Sequence, residues 1–311
     1  MAAQNTANFE AKIKRNPHPD FKKVEASRPP FPASSTFHHV QTPDPNWKFG
    51  SGANHLASST TTTPPNDSLD TPPDDSLNHP PNDTPTVPRH RPIDPHSPTR
   101  PSHLNYTLLI SSILPRPICL LSTCSPSGLP NLAPFSYFQL ISHDPPLFIL
   151  SFASSLASPK DSLRNLSLTG DCVLNMVSET FLEAANACAV NAPPGASEWD
   201  VSGLTPVFDD GRRVARVGEA VVSVEGRVES IREFPSRARP GEVGATMVVV
   251  EGTRFWVRED AVDEAGGRVD PGVMRAVGRL GGISYGRVGE GVELPRPDWE
   301  RDVGGAGGWR G

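Results

Sequence analysis

Residues 118–124 read ICLLSTC, an uncharged and mainly apolar run. Its length and composition predict a buried strand. The next four residues, Ser125 to Gly128, contain a proline and a glycine and predict the turn of a hairpin. Before the run, Pro115 and Pro117 exclude a helix. The stretch therefore predicts the first strand of a sheet.

Further segments of strand composition follow along the chain. They lie at residues 147–152, 172–177, 220–231 and 246–257. The segment at 172–177 is an apolar strand that alternates. Helical patterns are few: residues 106–110 predict a short helix or a buried segment, and the Ala-rich residues 181–189 predict a helix. Many strands with few short helices indicate a mainly β chain, an antiparallel barrel or sandwich.

Proline divides the chain into regions. More than half of the 35 prolines precede Leu104, and the hydrophobic fraction of the 311 residues is only 36%. We expect an extended segment with aromatic anchors at 1–50, a disordered Pro-rich linker at 51–102, one domain at 103–295 and a disordered tail at 296–311.

Charge and cysteine usage exclude several classes of protein. The net charge is −6 and no basic stripe is present, which argues against nucleic acid as a partner. The four cysteines are Cys119, Cys124, Cys172 and Cys188. None forms a C-x-x-C pair, so we expect no zinc site but buried, reduced thiols. No signal core or membrane span is evident, and we expect a soluble, cytoplasmic protein with no membrane partner.

The stretch SPKDSLRNL at 158–166 is the first candidate binding motif. Ser158 is a good N-cap residue, Pro159 suits the first helical position, and Gly170 suits the end of the helix. A helix N-terminus with Lys160 and Ser162 suits a phosphate group. Alternatively, Asp161 caps the helix itself, as in a capping box.

The stretch GLPNLAPFSYF at 128–138 is the second candidate. Its two prolines are expected to break regular strand pairing, so that backbone groups need other partners. Asn131 and Ser136 place polar groups beside aromatic surface, a mixture that suits a flat, polar-edged heterocycle. The alternative is a strand–turn–strand whose Asn and Ser act only as caps.

The stretch RLGGISY at 279–285 is a weaker third signal. Paired glycines permit a close backbone approach or only a turn. The sequence has no G-x-G-x-x-G loop, P-loop or nucleophile elbow.

Taken in order, several short motifs resemble the flavin reductase-like family of FMN-binding split barrels. They are PRPI at 115–118, ST at 122–123, NLAPFSYF at 131–138, DPP at 144–146, KDSLRN at 160–165, EAAN at 183–186, SEW at 197–199, GLTP at 203–206 and RLGG at 279–282. The resemblance covers about residues 104–290. The segments RPPF at 28–31 and WKFG at 47–50 resemble the N-terminal extension of fungal members.

The resemblance implies a six-stranded antiparallel Greek-key split β-barrel with a few short helices, usually a homodimer with flavin mononucleotide (FMN) near the interface. It implies that one segment lines the flavin ring and ribityl chain: Asn131, Ala133, Pro134, Phe135 and Ser136. It also implies that Lys160 and Ser162 hold the phosphate, with Arg116 nearby, and that Asn186 lies near the site. Ser162 stands where the family more often has Thr, a mild departure because both carry a hydroxyl.

Three functions follow as hypotheses. The first is an oxidoreductase that reduces FMN with NADH or NADPH and needs no side-chain nucleophile or base, so no catalytic residue is assigned. The second is a non-enzymatic flavoprotein, either an electron carrier or a flavin-holding partner. The third is a haem module or scaffold, which is poorly supported because His143 is the only histidine within the predicted domain beyond His103.

Overall fold

The computed structural model describes residues 17–33, 36–54, 90–193, 196–209 and 211–304. The chain divides into two compact units, one of Met1–His38 with Pro95–Glu290 and the other of His39–Asp94 with Gly291–Gly311. The first unit contains all three candidate binding motifs, at 128–138, 158–166 and 279–285.

The secondary structure is mainly β, as expected. The strands are β1 (His38–His39), β2 (Arg116–Pro117), β3 (Cys119–Cys124), β4 (Pro130–Phe135), β5 (Phe138–His143), β6 (Pro146–Phe152), β7 (Asp171–Met176), β8 (Pro206–Val207), β9 (Arg216–Val217), β10 (Val222–Pro235), β11 (Val243–Val257), β12 (Val277–Arg279), β13 (Tyr285–Arg287) and β14 (Glu290–Gly291). The helices are α1 (Phe21–Ala26), α2 (Ser102–Ser112), α3 (Asp161–Thr169), α4 (Leu182–Ala187), α5 (Glu198–Ser202) and α6 (Pro271–Met274). Short 3₁₀ turns occupy Glu179–Phe181 and Glu259–Ala261.

The main sheet has seven strands in the order β4-β3-β7-β10-β11-β6-β5, one more than expected. All of its neighbouring strands are antiparallel. Strand β3 is buried at all six residues because β4 and β7 flank it and side chains cover both of its faces. The predicted hairpin is confirmed: Ser125 N–H donates to the carbonyl of Leu129, and β4 follows directly.

The two edges of this sheet are joined by two residues. Strand β4 ends at Phe135 and β5 begins at Phe138, yet these strands stand at opposite edges of the sheet. Three Cα–Cα steps span on the order of 11 Å at most. The edges must therefore adjoin, and the sheet curls into a barrel that is split between β4 and β5.

The prolines of β4 do not break its pairing, so that expectation is wrong. Pro130–Phe135 pairs with all six residues of β3 in unbroken register. Leu132 is two residues from both Pro130 and Pro134, so the backbone nitrogens of all three face the same side of the strand. The Leu132 N–H points away from β3 and donates to the carboxylate of Glu198. Both proline nitrogens therefore face away from β3, on the outer side of an edge strand. The lack of an N–H there removes no hydrogen bond between the strands.

Two hydrophobic cores lie on opposite sides of β3. The barrel core includes Leu121, Leu174 and two residues of α3, Leu163 and Leu166. The outer core includes Leu120 and Leu132 with residues of α4, α5 and the segment before them. Strand β7 is buried at four consecutive residues, because hydrophobic clusters cover both of its faces.

Outside the barrel, the N-terminal segment and the second unit contain little regular secondary structure among the described residues. Residues 17–33 contain the short helix α1, and residues 299–304 form one π-helical turn. In the second unit, the Trp47 indole donates to the carbonyl of Gly52 and its ring lies edge-on to Phe49. Most of the predicted linker, 55–89, and the end of the predicted tail, 305–311, lie outside the described residues. No helix in the described ranges is long and apolar enough to cross a membrane.

A close approach of strands at Gly226 provides a test of the barrel packing. A Cβ at this position would lie 2.4 Å from Val250 Cγ1 and 3.2 Å from the carbonyl oxygen of Glu251. We expect Gly226→Ala to lower the free energy of unfolding by about 1–3 kcal/mol, as overpacking does in other cores. Gly267→Ala is the matched control because nothing lies within 4 Å of its Cβ. Equal denaturant midpoints for the two variants would contradict this packing.

Candidate functional site

Strand β4 lies at the centre of the candidate site. Helices α3, α4 and α5 all pack against it. The strand carries Asn131, Ala133, Pro134 and Phe135, and Ser136 follows at the split of the barrel. As an edge strand, β4 has a ladder partner on one side only. On its other side Leu132 N–H already donates to Glu198, while the residues from Ala133 to Phe135 are only half-buried.

Helix α3 begins two residues later than the sequence predicts. Lys160 is the N-cap residue and Asp161 the first helical residue, so the assignment of Ser158 as cap and Pro159 as first residue is wrong. Ser158 instead forms an isolated bridge with Ser155. The capping-box alternative fails as well, because the Asp161 carboxylate pairs with Arg164. Gly170 ends the helix in the left-handed conformation, as predicted.

A buried polar cluster joins the start of α3 to β4. The side-chain amide of Asn131 donates to the hydroxyl of Ser162 at 2.9 Å and contacts Thr123 Oγ1 at 3.3 Å. Asn165 donates to the same Thr123 oxygen at 3.1 Å. All four side chains are buried. Two motifs that lie 31 residues apart in sequence thus converge at one point.

The cluster presents groups that suit an anion. Ser162 accepts from Asn131, which leaves its hydroxyl hydrogen to be donated elsewhere. The first backbone N–H groups of a helix have no intrahelical partner, and the helix dipole places partial positive charge there. Lys160 adds a full charge at the cap position. A phosphate therefore fits the donor set at this helix start.

Aromatic residues surround the split of the barrel. The ring of Phe135 is tilted against that of Phe152 with 4.7 Å between centroids. Tyr137 follows Ser136 and is 45% exposed. Partial burial raises the pKa of Tyr137, the nearby Tyr106 adds to this rise, and Arg116 partly offsets it. The phenol is therefore neutral throughout the physiological range of pH.

Arg116 lies beside the split but is held by backbone oxygens. Its guanidinium donates to the carbonyl groups of Ile110 at 2.5 Å, Ile113 at 3.0 Å and Leu280 at 3.0 Å. The Nε–H is buried without a hydrogen-bond partner among the described residues. These contacts tie the end of α2 to the loop after β12, and a role for Arg116 in phosphate binding stays a prediction.

Asn186 occupies a second polar pair, on α4. Its side-chain oxygen accepts from the hydroxyl of Tyr285 at 2.8 Å. Arg279, directly opposite Tyr285 on β12, lies over the phenol ring at 4.3 Å. The third sequence motif thus supplies the partner of Asn186. Tyr285 was not predicted as a site residue, and neither were Thr123 and Asn165 of the polar cluster, which lie in an apolar run and a helix interior.

The four cysteines are all buried and unpaired, as expected for reduced thiols. Burial raises the pKa of Cys172 to about 12, with a smaller contribution from Asp171. Burial also raises the pKa values of Cys119 and Cys188. At neutral pH these thiols are protonated and poor nucleophiles. Among the described residues, no group of His, Cys, Asp or Glu could hold a metal ion.

Two cavities in the molecule are lined by no residue of β4. They have volumes of about 320 and 260 Å³ and adjoin one another around Asp171, Arg213 and Val214. The smaller is also lined by Leu168 and Thr169, at the C-terminal end of α3. None of the predicted site residues lines either cavity. The buried polar side chains converge at β4 and not at either cavity.

Known proteins resemble this chain in sequence. The flavin reductase like domain family matches residues 111–274, which is more than half of the chain. An uncharacterised protein of Halalkalibacterium halodurans is 34% identical over 194 residues, which cover 62% of this chain and 91% of that protein. An uncharacterised protein of Bacillus subtilis is 31% identical over 192 residues, covering 62% and 93%.

Solved structures share the fold. Nitrilotriacetate monooxygenase component B from Bacillus cereus is 30% identical with a TM-score of 0.61, covering 67% of this chain and all of that one. The 2-nitrobenzoate 2-nitroreductase of Pseudomonas fluorescens is 30% identical with a TM-score of 0.56, covering 64% and 93%. A Shewanella frigidimarina protein described as a flavin reductase with a split barrel domain is 20% identical with a TM-score of 0.55, covering 64% and 94%. The chain therefore belongs to the flavin reductase like domain family.

Proposed function

We propose that this chain binds FMN along the outer edge of β4, with the phosphate at the start of α3. The observation that carries the proposal is the hydrogen bond from Asn131 to Ser162, because it brings the two predicted motifs to one buried polar cluster. Lys160 and Ser162 would hold the phosphate. Asn131 would orient the Ser162 hydroxyl, and the segment from Ala133 to Ser136 would contact the ribityl chain and ring.

We further propose that the protein is an oxidoreductase that takes electrons from NADH or NADPH. Bound FMN would supply the hydride-transfer chemistry. The chain's own residues would bind and orient the flavin and exclude water, and backbone N–H groups at the split would stabilise negative charge on its ring. Membership of the flavin reductase family, and likeness to a monooxygenase component and a nitroreductase, support this class of reaction. A cytoplasmic location stays a prediction.

A homodimer is proposed from exposed apolar surface. Helix α2 buries only Ile110, while Leu104, Leu108 and Leu109 are 40–51% exposed. Leu140 on β5 is 53% exposed. Leu104 and Leu108 are one helical turn apart on α2, and an exposed apolar face of this kind is typical of a protein interface. A second copy of the chain is the occupant that the family resemblance implies.

The phosphate site is tested by flavin titration of the apoprotein. We expect Lys160→Ala to weaken FMN binding by about 1–3 kcal/mol, the magnitude of a lost charged hydrogen bond. Riboflavin lacks the phosphate, so its affinity should not change. Arg164→Ala on the same helix, whose partner is Asp161, is the matched control. If Lys160→Ala leaves FMN affinity unchanged, Lys160 does not belong to the site.

The enzymatic hypothesis is tested with purified, FMN-loaded protein. We expect NADH or NADPH to bleach the visible absorbance of the flavin, and continuous turnover in the presence of excess FMN or oxygen. A flavin that stays oxidised with both nucleotides, while dithionite reduces it, would favour the alternative of a non-enzymatic electron carrier. The rates with the two nucleotides also establish which is the donor.

The dimer is tested by light scattering in solution. The wild-type chain is expected at about twice its mass of 33.4 kDa. Leu109→Glu, at a position 51% exposed on α2, should shift the protein toward the monomer because a carboxylate is disfavoured in an apolar interface. Leu168→Glu, 63% exposed on α3, is the control and should remain dimeric. A wild-type mass near 33.4 kDa would exclude the dimer.

A further inference from the structure

We infer that residues 28–33, here called the strap, hold helix α4 and its Asn186 in place. The strap lies in the same compact unit as the barrel. Its contacts are made with a pair of arginines that share one buried carboxylate. This inference rests on the proposed function only where it concerns flavin affinity.

The carboxylate belongs to Glu179, whose side chain is 6% exposed. Arg287 donates to it at 2.6 Å, and Arg275 also pairs with it. Arg275 has a φ of 47°, a left-handed conformation that is unusual for a residue with a side chain. Its carbonyl accepts from the N–H of Glu179 at 3.0 Å. Two guanidinium groups on one carboxylate leave an excess of positive charge and of N–H donors.

The strap supplies acceptors for those donors. The carbonyl of Ala33 accepts from Arg275 Nη2 at 3.0 Å, and that of Pro32 from Arg287 Nη1 at 3.5 Å. The ring of Phe31 lies over the Arg287 guanidinium at 4.4 Å from its centroid. Proline at 29, 30 and 32 favours the extended conformation that presents carbonyl groups in this way. The strap thus covers the outer side of the arginine pair.

The arginine pair connects the strap to the candidate site. Glu179 opens the 3₁₀ turn that leads directly into α4. Tyr285 and Arg287 are two residues apart on β13 and therefore point to the same face. Arg287 contacts Glu179 before the helix, and Tyr285 contacts Asn186 near its end. The two contacts hold both ends of α4 against β13. The strap orients Arg287, which makes the contact at the N-terminal end.

Hydrogen–deuterium exchange of the full chain without flavin tests the strap directly. We expect Phe31→Ala to speed exchange of the amides at 182–190 by about two- to fivefold, the factor that an exposed cation–π contact represents. Phe31→Trp keeps a ring over Arg287 and should restore slow exchange. Phe208→Ala is the matched control, because Phe208 is 58% exposed and Phe31 is 59% exposed. Unchanged exchange at 182–190 in Phe31→Ala, or an equal change in Phe208→Ala, overturns the inference.

Flavin titration of the same variants tests the connection to the site. Asn186 belongs to a different helix from the proposed phosphate site at the start of α3, so we place it toward the ring end of the flavin. Phe31→Ala should therefore weaken FMN and riboflavin alike, by about two- to fivefold. A loss confined to FMN, or no loss despite faster exchange, would overturn this connection. A wild-type chain that binds neither flavin would overturn the proposed function, and the exchange measurement would still decide whether the strap holds α4.

Discussion

The two-residue connection from β4 to β5 is the constraint on which the rest of the structure depends. Ser136 and Tyr137 join strands at opposite edges of the sheet, so the sheet must curl until those edges adjoin. Closure places one core inside the barrel and another outside β3. It also leaves β4 as an unpaired edge at the surface, where three helices deliver side chains to it. The candidate site follows from this edge.

The sequence predicts where the strands lie better than it predicts how they pair or where the helices begin. Apolar runs and a Pro-Gly turn were sufficient to predict β3, β6 and the hairpin, because burial and turn chemistry are local properties. Whether Pro130 disrupts a ladder depends on which side of the strand its nitrogen faces, and only the register with β3 determines that. The cap of α3 was misplaced for a similar reason. Ser158 has the preferred side chain, but its bridge to Ser155 holds the chain outside the helix.

Sequence motifs predicted some residues of the candidate site, but not those that join it through strand pairing and helix packing. Asn131 and Ser162 belong to motifs that suit a flavin phosphate, and the structure joins them through one hydrogen bond. Thr123 and Asn165 lie in two of the family motifs, but the apolar run around Thr123 and the helical position of Asn165 did not indicate that either belongs to the site. Their partnership arises because β3 aligns Thr123 with Asn131 and α3 packs over both. The hydrogen bonds of Thr123 are thus consequences of the register between β3 and β4.

The two ends of the site are stabilised by different physical means. At the start of α3 the polar groups are buried and hydrogen-bonded to one another, so their geometry is set by the barrel itself. At Asn186 the geometry depends on ion pairs with Glu179, whose arginines are 27–28% exposed and are completed by an extended peptide. Partly exposed pairs are weaker and more easily rearranged than buried networks. Variation in the strap should therefore change the surroundings of Asn186 while leaving the buried cluster at the start of α3 intact.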